Sequence, residues 1–293
     1  MRRSTGIAAG VALVGAGVTV ARGFDPGLLA VHSPSSSAVL ESTAAMAALL
    51  LACLAYGRWR QRGLLADLWV CYGISIIAAG KLVFVLAPVL AGMDGGTYGL
   101  RAAALIAGGC GALFLLFAAC VSFDTQATAR RPMLDLAALL AVVMLLSVGI
   151  GLLGRLSGGV FTGLNDFVST EATGERGDLA ITVLQLAIAA LFAATAILLA
   201  TRRQPADDRF FGWLATAATL WALARANYVL TPQRLDSFVT VGDWLRLTAY
   251  GVLVVGAVRE LRAYWSRLAD AAVLEERRRI ARDLHDGLAQ ELA

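Results

Sequence analysis

The sequence predicts an all-α fold: a polytopic transmembrane helix bundle of about eight spans, followed by a charged C-terminal helix. Three observations predict it. First, 58% of the 293 residues are hydrophobic and 16% are charged, with a mean hydropathy of +0.71; soluble domains carry about 25% charged residues. Second, the apolar residues come in blocks separated by short polar stretches, and a bilayer core needs about 20 apolar residues per helix. Third, the chain turns charged after Val258 and contains no Gly or Pro from there to Gly287, which favours one uninterrupted helix.

Taken in order, the expected spans are 6–21, 39–56, 64–90, 102–123, 134–153, 179–200, 210–230 and 239–258. The first is short and rich in Gly, Ala and Val. Because it follows Met1-Arg2-Arg3, a cleaved signal peptide is the alternative reading; that would leave seven spans with the rest oriented as before. Closely spaced glycines, Gly6/Gly10 and Gly108/Gly111, suit helices that approach closely in lipid. The longest loop between spans, 154–178, is rich in Gly, Thr and Ser and too short for a folded extracellular sensor domain. A stimulus is then sensed by the bundle, by lipid or by a partner protein.

Arginines set the orientation. With the N-terminus inside, the cytoplasmic segments before the tail hold ten (Arg2, Arg3, Arg58, Arg60, Arg62, Arg130, Arg131, Arg202, Arg203, Arg209) and the outer loops five (Arg22, Arg101, Arg155, Arg176, Arg234). This asymmetry obeys the positive-inside rule and returns the C-terminal tail to the cytoplasm. The expected location is a plasma membrane, with lipid as one partner and no direct contact with nucleic acid. The expected organisation is a membrane domain over 1–258, a coiled-coil linker over 259–274 and the start of a dimerisation helix over 275–293.

Five charged residues fall within the spans: Glu41, Lys81, Arg225, Asp243 and Arg246. All lie in the outer halves of their spans. Charges at such depth face the bundle interior or water. One reading is snorkelling plus structural ion pairs such as Glu41–Lys81. The other is an outward-facing polar pocket that binds a small or anionic ligand. Asp67 and Asp135 lie near cytoplasmic ends and read as interfacial. Cys53, Cys71, Cys110 and Cys120 sit in apolar blocks without CxxC spacing and read as small hydrophobes. His32 lies in an outer loop and His285 in the tail. Two histidines on opposite sides of the membrane exclude bis-histidine haem and His-rich metal sites, so no metal ligands are expected.

In the tail, Leu261, Trp265, Leu268 and Ala272 follow the 4-3-4 spacing of a short coiled-coil seam. Continuing that register would put Glu275, Arg279, Arg282 and Asp286 in a core. A second seam, Leu274, Ala281, Leu284 and Leu288, takes over in another register. Such a shift locally changes supercoiling, and either marks where one seam ends and a bundle begins or acts as a conformational relay.

The run Ile280-Ala281-Arg282-Asp283-Leu284-His285-Asp286, with Gln290 beyond it, resembles the phosphoacceptor box of bacterial sensor histidine kinases. It is closest to the subfamily whose box reads H-D-x-x-x-Q and whose partners are NarL-type response regulators. The resemblance covers about twenty residues of the 293. It implies that His285 accepts phosphate, that Asp286 assists as acid/base or by orienting the ring, and that Gln290 supports dephosphorylation of the regulator by positioning a water. It also implies a homodimer, and ATP with Mg as the phosphate source, bound by a separate domain. Residues 1–293 show no Gly-rich phosphate loop in a soluble context and leave no room for that domain, so the sequence is expected to be truncated before it. Two rivals from other classes remain: a multipass transporter or channel, and a non-catalytic membrane receptor that recruits a separate kinase.

Overall fold

A computed structural model of the chain describes residues 10, 14, 15, 17, 31–32, 34–90, 98–122, 125–127, 132–156, 176–202, 210–230 and 238–291. Seven long helices are described: α1 (Pro34–Arg62), α2 (Leu65–Lys81), α3 (Tyr98–Cys120), α4 (Pro132–Leu156), α5 (Arg176–Thr201), α6 (Phe210–Val229) and α7 (Val241–Glu291). A π-helical segment (Leu82–Leu86) and a last α-turn (Ala87–Leu90) extend α2. The described residues also hold a two-residue antiparallel ladder, Val31–His32 against Phe238–Val239, and a single antiparallel bridge between Leu64 and Gln126. The ladder joins the chain just before α1 to the chain just before α7.

Among the described residues, five stretches are long and apolar enough to cross a membrane: Val39–Arg62, Leu65–Leu86, Ala103–Cys120, Thr182–Thr201 and Val241–Arg282. Within α4, the described stretch Met133–Leu146 is apolar as well. The expected first span, 6–21, lies largely outside the described residues; within it, Gly15 abuts Leu223 of α6.

The neighbouring pairs are α1–α2, α2–α3, α3–α5, α5–α6, α6–α7 and α7–α1, which close a ring of six helices; α4 packs outside it, mainly on α3. The ring encloses one core drawn from all six helices, with many alanines (Ala48, Ala112, Ala118, Ala217, Ala249) among larger groups such as Leu115, Ile188, Phe211 and Tyr250. Larger apolar side chains such as Met46, Phe117, Leu145 and Ile197 point outward. Small inside and large outside is the pattern of helices that pack backbone to backbone and face lipid.

The crossing of α2 and α3 is the tightest contact of this kind. A Cβ at Gly73 would lie 2.9 Å from the Gly111 carbonyl oxygen, and one at Gly111 would lie 2.8 Å from the Gly73 oxygen and 2.4 Å from Ile77 Cγ1. Backbone cannot yield as a side chain can. Gly73→Ala is therefore expected to destabilise the bundle by about 1–3 kcal/mol through overpacking, measured by reversible unfolding in mixed micelles. Gly57→Ala, where nothing lies within 4 Å of the added carbon, is the control expected to be neutral.

At one end of the bundle α1 turns into α2 through Gly63, whose φ of +67° suits glycine. The turn docks on residues 125–127 through Leu65 N–H to Thr125 O and Ala127 N–H to Gly63 O, both 2.8 Å. At the same end Arg202 donates to the Val121 and Cys120 carbonyls at 2.6 and 2.7 Å. It thereby satisfies orphan acceptors at the C-terminus of α3. This is the end from which α7 leaves the bundle, called here the exit end; the opposite end, where α7 starts, is the head end.

Candidate functional site

Of the sequence-predicted site residues, Asp243, Arg246, His285, Asp286 and Gln290 lie on α7, Glu41 pairs with Arg246 of its bundle segment, and Lys81 and Arg225 lie close by. At the head end α7 begins with a capping arrangement. The Thr240 backbone N–H and its hydroxyl both donate to Asp243 Oδ2 at 2.9 Å. The N-terminal turn is thus closed by its own side chains. The Tyr228 hydroxyl donates to Asp243 Oδ1 at 2.7 Å. Its ring reaches there because residue 242 is glycine: a Cβ at that position would lie 2.7 Å from Tyr228 Cε1.

The in-span charges meet around this start. Lys81 Nζ, at the end of α2, donates to Glu41 Oε2 of α1 at 2.7 Å. Arg246 donates to the other Glu41 oxygen and lies 3.3 Å from Asp243 Oδ1. One continuous network therefore runs Lys81–Glu41–Arg246–Asp243–Tyr228 across four helices. Arg225 lies beside it, with its Nη1 3.0 Å from Gln185 Oε1 of α5 and its guanidinium 5.9 Å from the centre of the Tyr228 ring. The Glu41–Lys81 pair named from the sequence is present. The five charges also gather at one end, as their shared depth within the spans suggested. Tyr228 reads from the sequence only as an interfacial aromatic, and Gln185 and Thr240 carry no site signal there beyond the Thr240-x-x-Asp243 capping spacing.

A second ionic cluster holds α7 at the exit end. Arg58 Nε donates to Asp67 Oδ1 at 2.7 Å. Its Nη1 lies 3.4 Å from Glu260 Oε1, and Arg62 donates to the same oxygen at 2.5 Å. The Arg58 guanidinium also lies over the Phe210 ring, 4.4 Å from its centre. One turn away, Arg259 lies over Trp213 at 5.2 Å, a ring admitted against α7 by the missing side chain of Gly256. Asp67, in the first turn of α2, is more than a residue at a helix end: it is 1% exposed and paired with Arg58. Asp135 is exposed, in keeping with that reading.

Beyond Ala257, the last buried residue of α7 among those described, the helix continues without interruption to Glu291. His285, Asp286 and Gln290 are all in helical backbone. At 1.5 Å per residue, His285 stands about 38 Å along the axis from Glu260. The register change near Ala272 does not break the helix. The first seam is bare in the single chain: Leu261, Trp265 and Leu268 are all exposed, Trp265 at 62%. His32 lies in the two-residue ladder at the head end, opposite Phe238. The four cysteines are unbridged, and no group of three or more metal-ligating side chains occurs among the described residues.

Residues 276–293 match the family model HisKA_3, described as histidine kinase. No curated protein and no solved structure matches the chain. The match falls on the C-terminal end of α7 and supports a histidine-kinase dimerisation and phosphoacceptor segment there, with the response-regulator partner and two-component signalling that such a segment implies. The apolar helices fit a multi-pass membrane protein.

Proposed function

We propose that the chain is the membrane sensor portion, and the beginning of the phosphoacceptor helix, of a two-component sensor histidine kinase. One observation carries this reading: the histidine-kinase match at 276–293 lies on the same unbroken helix that is gripped at both ends of the bundle. The bundle crosses the bacterial inner membrane about eight times, and its tail lies in the cytoplasm. Two copies pair through the exposed Leu261/Trp265/Leu268 seam and the phosphoacceptor helices. ATP with Mg is the donor, held by a domain outside residues 1–293, and a NarL-type regulator is the acceptor.

In this reading a ring nitrogen of neutral His285 attacks the γ-phosphorus of ATP. The bond from that phosphorus to the β–γ bridging oxygen breaks, and ADP leaves with the electron pair. Asp286 orients the imidazole or takes its proton. The phosphoryl group then passes to an aspartate oxygen of the regulator, and the P–N electron pair returns to the ring. Gln290, one turn beyond Asp286, positions the water that later hydrolyses the regulator's acyl phosphate.

The test uses the product of the complete reading frame in lipid, with a histidine-kinase ATP-binding domain supplied separately where the frame lacks one. Mg-ATP labelled at the γ-phosphate is expected to give an acid-labile, base-stable phosphoprotein, and His285→Gln to give none. Gln290→Ala is expected to keep autophosphorylation and slow regulator dephosphorylation by about a hundredfold. An unlabelled wild type, or label that survives in His285→Gln, overturns the reading.

A further inference from the structure

We propose that the head-end charge network is a binding site for a small oxyanion, a carboxylate or phosphate group, centred on Arg225. Among the described residues the network and the adjacent Arg225 bring together three cations, Lys81, Arg225 and Arg246, and two carboxylates, Glu41 and Asp243. The surplus charge resides at Arg225. Among the described residues its guanidinium has a neutral amide, Gln185 Oε1, as its hydrogen-bond acceptor and makes no ion pair. A cation held that way within an apolar bundle favours an anion beside it, because isolated charges are expensive in such surroundings.

Three further features point the same way. Gly108 of α3 presents bare backbone to Arg225, and a Cβ there would lie 3.3 Å from Arg225 Nη2. Arg246 Nε is buried without an acceptor, so a second donor is unused. The π-helical segment Leu82–Leu86 starts immediately after Lys81, and such segments are frequent at functional sites. The cluster is not sealed: the Lys81 and Arg246 side chains retain 12% and 15% exposure. A guanidinium fork matches both carboxylate and phosphate, so a free anion and a phospholipid headgroup share the chemistry required.

This proposal does not rest on the phosphoacceptor reading, and its test requires no ATP. The whole chain is studied in maltoside micelles free of phospholipid, at constant ionic strength set with sodium chloride. Acetate, inorganic phosphate or added phosphatidylglycerol serves as the probe, and the midpoint of thermal unfolding is followed. At least one probe is expected to raise the midpoint saturably, as ligands of the folded state do. A response to acetate or phosphate identifies a free anion as the source; a response to the lipid alone identifies a headgroup. Arg225→Gln is expected to raise the half-saturating concentration about tenfold or more, the loss of one charge-assisted contact. Gly108→Ala retains every charge but crowds the guanidinium, and is expected to weaken the response in the same direction. No saturable response in the wild type, or equal responses in the wild type and whichever of the two variants folds, overturns the site and leaves the network as structural ion pairing only.

Discussion

Glu41→Ala is expected to destabilise the bundle by about 1–3 kcal/mol, between the loss of a solvated surface pair and that of a fully buried one, because the network is partly buried. Glu41 is the hub of the head-end cluster. One carboxylate oxygen takes Lys81 and the other takes Arg246, so a single residue of α1 ties α2 to α7. Its removal leaves Lys81, Arg225 and Arg246 with Asp243 as the one remaining carboxylate, and Asp243 is already engaged by Thr240 and Tyr228. Glu41→Gln retains an acceptor and the side-chain volume, and should lose less. Glu41→Gln with Lys81→Met should recover part of the loss, since a buried pair replaced by neutral groups is often tolerated. Detergent titration in mixed micelles measures all three. A loss well below about 1 kcal/mol for Glu41→Ala, the range of solvated surface pairs, would show that solvent screens the cluster and that it does not tie the helices together.

The sequence and the fold agree unevenly along this network, for a geometric reason. A tight turn reflects the residues on its two sides onto each other. With the α1–α2 turn at Gly63, Glu41 and Lys81 both fall toward the head ends of their helices, which permits their pairing, but no spacing in the sequence singles it out. The same reflection sets Arg58 opposite Asp67, yet Asp67 read as interfacial because depth within an apolar block says nothing about a partner. Arg246 and Glu260 reach α1 across roughly 200 residues, and no spacing encodes that meeting. It depends on the closure of the six-helix ring, which follows from interhelical packing. Span number is blurred for a related reason. Hydropathy counts apolar blocks, but α6 carries Arg225 and Asn227 inward and is not among the stretches that length and composition mark as membrane-crossing. The tail was the most legible region, because a phosphoacceptor box is local in sequence and needs no tertiary contact to be seen.

Arg58→Met is expected to destabilise by about 3–5 kcal/mol, whereas Arg62→Met is expected to lose less than about 1 kcal/mol. Both arginines belong to the last turns of α1 and both reach Glu260, so charge counting alone would rank them equally. Burial separates them. Arg58 is 8% exposed and lies between Asp67, Glu260 and the Phe210 ring, while Arg62 is 28% exposed and meets Glu260 at the rim. Loss of Arg58 removes the guanidinium that neutralises Asp67 in the core and also strips the aromatic contact. Methionine fills much of the volume, which confines the effect chiefly to charge. Arg58→Met with Asp67→Asn should then recover part of the loss, and that recovery distinguishes a stranded carboxylate from simple loss of packing. The same variant tests what the exit-end clasp does for α7. Spin-label distances between α1 and the stretch after Glu260 should broaden in Arg58→Met and stay narrow in Arg62→Met. Equal broadening in the two, or none in either, would mean that the helix is held by the apolar core around Leu253 and Ala257 and that the clasp does not transmit position to His285.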